Sequence, residues 1–161
     1  MAYILKTFFL SIVIFSFLGA EKRMNLDLNS KSFKDQFDKS YTISKDLKYI
    51  LFISSMEASK KVHAYLEKKG FDTIEKKSGI LISDISGMPS IITFLFARPK
   101  MKQFKYRIFL IENKEEASIF PAKKEALNLF LLESGRVVSH EILTEMSELE
   151  QNLSLSIGDK K

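Results

Sequence analysis

Apolar positions along the chain fall into runs of two lengths. Lys48–Ile53 is a short continuous apolar run rich in β-formers, and Ile80–Ile85, Tyr106–Ile111 and Leu127–Leu132 are apolar-rich runs broken by Ser83 and Asp84, by Arg107 and by Asn128. Such runs fit strands covered on both faces. Between them lie segments of helical period. Ala58, Val62, Tyr65 and Leu66 follow Ser54, with Glu57 three residues after that serine, a capping-box spacing; Gly70 ends the segment. Ile91, Ile92, Leu95 and Phe96 follow Ser86-Gly87-Met88-Pro89. Pro89 suits a first helical turn and Arg98-Pro99 a stop. Their broad apolar arc predicts a well-buried helix.

Flanking elements complete the order. Ser32 to Ile43, with Phe33 and Phe37 around Asp38-Lys39-Ser40, predicts an edge hairpin. Asn113–Glu116 reads as a polar turn. Glu133-Ser134-Gly135-Arg136 reads as a hairpin turn leading into Val137–Leu143. Thr144 opens a last helix carrying Met146, Leu149 and Leu153. The expected organisation is a signal at 1–20, an extended lead-in at 21–30, one domain at 31–153 and a loose tail at 154–161.

The signal rests on Lys6, the eleven-residue apolar run FFLSIVIFSFL at 8–18, and the small residues before Glu21. Its length is short of the roughly 20 residues of a span. The expectation is export to the periplasm with no integral span after cleavage; an uncleaved anchor is the alternative.

Composition narrows the chemistry. Of 161 residues, 45% are hydrophobic and none is cysteine, which excludes disulfides, thiolate nucleophiles and thiolate metal sites. The charge of +5 comes from 25 basic against 20 acidic residues scattered along the chain, unlike a nucleic-acid footprint. His63 and His140 stand without a Ser–His–Asp or HExxH context. Asp84, Ser86, Met88 and Pro89 fall where a strand meets a helix, a place where open α/β sheets bind ligands. Arg98 and Lys100 follow that helix and could supply charge to a ligand or partner. The same residues also serve as ordinary caps and stops. Met56, Met88 and Met101 raise soft-metal binding against simple core filling.

Hairpin, β, α, β, α, β, β-hairpin, α is an α/β order with a mixed sheet and βαβαβ core. It resembles the thioredoxin-like fold in its peroxiredoxin-type version over residues 30–153. Lys34-Asp35-Gln36-Phe37-Asp38-Lys39 and Leu127–Val138 with Gly135 carry local likenesses. That resemblance implies a reactive thiolate at the start of the first central helix, where this chain has Ser54-Ser55-Met56-Glu57, and a proline near Glu125-Ala126-Leu127, where it has none. Thiol oxidoreductase and peroxidase chemistry are therefore excluded. The segments 35–39, 84–91 and 96–101 also resemble small exported bacterial proteins of unassigned function, some labelled FAD/FMN-containing dehydrogenases. The glycines after the signal stand at 70, 79, 87, 135 and 158, so no GxGxxG supports a flavin. The expectation is a binding or accessory domain without cofactor, whose partner is another envelope protein. An enzyme using Asp84–Met101 is the alternative.

Overall fold

The computed structural model describes Met24 and residues 26–158, with side chains to Ser154. The signal expected at 1–20 lies outside the described residues. One eight-stranded mixed sheet runs through the molecule in the order β1 (Leu26–Asp27), β8 (Arg136–Leu143), β7 (Leu127–Glu133), β4 (Tyr49–Ile53), β5 (Gly79–Asp84), β6 (Phe109–Ile111), β2 (Ser32–Asp35), β3 (Ser40–Thr42). Its parallel centre is β4 (Tyr49–Ile53), β5 (Gly79–Asp84) and β6 (Phe109–Ile111). On one side β7 (Leu127–Glu133) and β8 (Arg136–Leu143) form an antiparallel hairpin against β4. On the other, β2 (Ser32–Asp35) and β3 (Ser40–Thr42) form the expected edge hairpin against β6.

Alternation along β4 explains why its run is continuously apolar. Tyr49, Leu51 and Ile53 enter one core layer, and Ile50 and Phe52 the other. The first layer is closed by Ala58, Val62 and Leu66 of helix α1 (Met56–Lys69) and by Leu149 and Leu153 of α6 (Ser147–Gly158). The second is closed by Ala117 of α5 (Lys114–Ser118), by Phe120, and by Met24, Leu26 and Leu28. A short helix, α2 (Thr73–Lys76), sends Ile74 into the first layer. Tyr49 lies across Gly79 on the neighbouring strand, so closely that a Cβ there would run into its ring.

Several local expectations shift. The cap of α1 is Ser55 rather than Ser54: the Ala58 amide donates to Ser55 Oγ at 3.2 Å. Asn113 caps α5 instead of ending in a plain turn, its Oδ1 accepting from the Glu116 amide at 2.6 Å. At the start of α6 the Glu148 carboxylate accepts from the Thr144 and Glu145 amides. The segment 21–30 carries strand β1 (Leu26–Asp27), paired with β8, and buries Leu28 completely. Helix α6 continues to Gly158.

The largest departure is the second crossover. Helix α3 (Ser90–Ile92), a π-helical segment (Thr93–Ala97) and α4 (Arg98–Met101) run on without a break. Contrary to the expected burial, Ile91, Phe94 and Phe96 are 66%, 73% and 65% exposed, and Ile92 and Leu95 are exposed as well. Both sheet faces are already covered by α1 with α6 and by α5 with the N-terminal segment. The helix therefore stands outside both layers, and Met88, Met101 and Phe104, partly buried against the first, tie it there. The π segment has a local cause. Pro99 has no amide hydrogen, and its ring crowds the Leu95 carbonyl four residues back. The Arg98 amide donates instead to Thr93, five residues back.

Candidate functional site

The chain reverses at the carboxyl ends of the parallel strands, and there the molecule has a cavity of about 560 Å³. Phe52 and Ser54 come from the end of β4, Ser55 from the cap of α1. Asp84, Ser86 and Met88 come from the end of β5 and the turn beyond it. Lys114 and Ser118 come from α5, and Lys124 and Glu125 from the loop entering β7. This is the place where open α/β sheets bind ligands.

Each wall has a local reason for its shape. Asp84 Oδ1 accepts from the Ser86 amide at 2.9 Å, and the Met88 amide donates to the Ile85 carbonyl at 2.9 Å. The tight turn that opens the second crossover is thus held by Asp84. Ser54 Oγ is buried and has no hydrogen-bond partner among the described residues. One residue on, Ser55 Oγ is used by the α1 cap.

The Lys123–Ala126 loop is held by Asn128, which is fully buried. Asn128 Oδ1 accepts from the Lys123 amide at 2.8 Å, and its Nδ2 donates to the Lys123 and Ala126 carbonyls at 2.9 and 3.1 Å. His140, across the β7–β8 hairpin, places Nε2 3.0 Å from Asn128 Oδ1 and stacks on Phe130. Burial lowers the His140 pKa, which favours a neutral ring donating through Nε2. Within that loop Glu125 takes φ 61°, a left-handed conformation uncommon outside glycine. The two histidines thus sit in local networks. His63 lies 3.3 Å from the Tyr106 hydroxyl and 3.4 Å from Glu67.

The residues singled out from the sequence divide here. Asp84, Ser86 and Met88 meet in the cleft, and Pro89 follows directly. Arg98 does not line the cleft. Its Nε donates to Glu112 at 2.7 Å and its NH1 and NH2 to Asp38 at 3.0–3.1 Å. It is a clamp between the helix, the end of β6 and the hairpin turn. Lys100 is exposed beyond it. The three methionines are likewise split: Met88 and Met101 pack against the first core layer, whereas Met56 is exposed at the start of α1. Among the described residues no group of three or more His, Cys, Asp or Glu side chains is placed to hold a metal ion.

Sequence reasoning missed Lys114, Ser118, Lys124 and the holding role of Asn128. Lys124 and Asn128 had one available signal: a loop entering a strand at the carboxyl edge of the parallel centre.

No known family profile matches the chain, and no curated protein matches it. Solved structures do. An uncharacterised thioredoxin-like protein from Porphyromonas gingivalis superposes with a TM-score of 0.55 at 13% identity, over 86% of this chain and 96% of its own. A peroxiredoxin-like protein from Aquifex aeolicus gives 0.52 at 12%, over 85% and 89%. The pneumococcal exposed lipoprotein thioredoxin from Streptococcus pneumoniae gives 0.54 at 14%, over 77% and 97%. The chain has the thioredoxin-like fold. It has that fold with no cysteine anywhere in its sequence.

Proposed function

We infer that this is an exported accessory protein that uses a thioredoxin-like cleft to bind and not to exchange disulfides. The observation that carries the reading is Ser54-Ser55 between β4 and α1, in a chain without thiols. Disulfide exchange needs a thiolate that attacks sulfur and leaves from it. A serine hydroxyl does neither, while the concave wall around it keeps its shape. Lys114 and Lys124 with Asp84 and Glu125 give the cleft charges of both signs, suited to an extended polar segment of another envelope protein. The apolar run at 8–18 supports export. The volume favours a second reading, a small polar ligand, because it falls in the range of small-molecule sites.

The test is recovery of partners from the native envelope by the tagged chain, compared with Ser118→Arg. Ser118 is exposed in the cleft, and among the described residues its Oγ donates only to the Glu115 carbonyl within its own helix. We expect Ser118→Arg to lose the proteins recovered by the parent while its melting temperature is unchanged. Equal recovery by both chains would overturn a role for the cleft. A bound small molecule found by mass spectrometry of the parent alone would favour the second reading.

A further inference from the structure

The exposed helix at Ser90–Met101 has no role in the cleft just described, and its chemistry points elsewhere. Five of the six residues from Ile91 to Phe96 are exposed and apolar. Spread through the π-helical segment as well as the α turn before it, they occupy about half of the helix circumference. A single packed helix or strand would cover one side of such an arc; a fluid apolar medium covers all of it. At its end three cations, Arg98, Lys100 and Lys102, meet two carboxylates, Asp38 and Glu112, and Lys102 also acts on Asp38. Lys100 and Lys102 are exposed and form no ion pair among the described residues, while Arg98 is already neutralised by Asp38 and Glu112. Twelve helical residues reach roughly 18 Å, too short to cross a hydrocarbon layer of about 30 Å. No helix among the described residues is long and apolar enough to cross a membrane.

We propose that this helix is a membrane-surface anchor that lays Ile91, Phe94, Leu95 and Phe96 into the interface of an anionic phospholipid bilayer, with Lys100 and Lys102 at the headgroups. Apolar burial combined with attraction of lysines to anionic lipid is the usual basis of such binding. The Arg98 clamp holds the helix at a defined place on the domain. The proposal does not depend on what the cleft binds.

A chain without cysteine permits one label at a chosen site. The full chain carrying Phe94→Cys, or Ile91→Cys as a second variant, is tagged with an environment-sensitive fluorophore and reconstituted into vesicles of phosphatidylglycerol and phosphatidylethanolamine. Lys60→Cys on exposed α1 is the control. Quenching by brominated acyl chains is expected at 94 and 91 and not at 60. Lys100→Gln with Lys102→Gln should lower the docked-to-free ratio by about tenfold or more, given the attraction of each lysine to an anionic surface. Phosphatidylcholine vesicles and high salt should act in the same direction. Equal quenching at 60 and 94, or none at 94 and 91, would overturn the proposal. A blue shift at 94 that grows with protein concentration without lipid would also overturn it, in favour of a second copy as the occupant.

Discussion

Two helices cross between neighbouring parallel strands, and they reverse the usual link between apolarity and burial. Helix α1 is lysine-rich, yet three of its residues, Ala58, Val62 and Leu66, are almost fully buried. The helix from Ser90 to Met101 is far more apolar, yet none of its residues is buried. The difference lies in pattern and ends. Residues 58, 62 and 66 repeat every fourth position, which gives one stripe against the sheet. Ser55 caps the start of α1, and the Gly70 amide closes its end on the Leu66 carbonyl. The second helix has no stripe and no side-chain cap. It is placed by Arg98 and by a few contacts at its margins. Burial in this molecule follows periodicity and available surface, not total hydrophobicity.

Matched leucines should break the comparison most visibly. Leu66→Ala removes a buried side chain and leaves a cavity, so a loss of about 2–5 kcal/mol is expected in chemical denaturation. Leu95→Ala should change stability by less than about 0.5 kcal/mol, as surface substitutions do. Similar losses at both positions would mean that the second helix packs in solution.

The caps give a smaller contrast. Ser55→Ala should cost about 1 kcal/mol through the lost Ala58 amide partner. Ser90→Ala, which removes no capping bond, should be nearly silent in the same measurement.

The smallest effect is local and depends on pH. Hydrogen bonding to Arg98, and then its charge, hold the Asp38 carboxyl below the usual carboxylate range. Its folded pKa is thus lower than the unfolded value of about 3.9. The contribution of the clamp is complete above that value and is lost as pH falls through the lowered one. Amide exchange at 93–101 should stay slow down to about pH 4 and quicken below it, after allowance for the intrinsic pH dependence of exchange. Arg98→Ala should show the faster exchange at every pH, with little change in global stability.

The sheet was legible because Tyr49–Ile53, Gly79–Asp84 and Leu127–Glu133 each carry enough apolar β-formers to require two covered faces. The hairpin turn at Ser134-Gly135 is legible for a stereochemical reason, since both residues take positive φ, which glycine adopts without strain. Placement was harder. The run from Ile91 to Phe96 signals burial, and only the assembled molecule shows both sheet faces already taken. Arg98 reads as a free cation until folding brings Asp38, sixty residues away, to it. Ser54 and Ser55 are equivalent as cap candidates until the helix start is known. Strand β1 is two residues long, and only pairing with β8 distinguishes it from a coil. In the cleft, Asp84 to Met88 follow from strand-end logic; Lys114 and Ser118 arrive on a helix whose sequence has the polarity of a turn.

The pairing of β1 with β8 also bears on how the chain can be handled without self-association. Leu26 and Asp27 lie against Val137 and Arg136, and Arg136 forms an ion pair with Asp27 at 3.2 Å. The rest of the outer β8 margin, where Val138 and Ile142 are exposed, is a row of backbone groups able to accept another strand. A chain trimmed to begin at Lys31 would lay bare the whole margin, inviting strand-by-strand stacking of copies. Leu26 and Asp27, on a segment that looks dispensable in a shortened gene, thus cover the turn end of that margin.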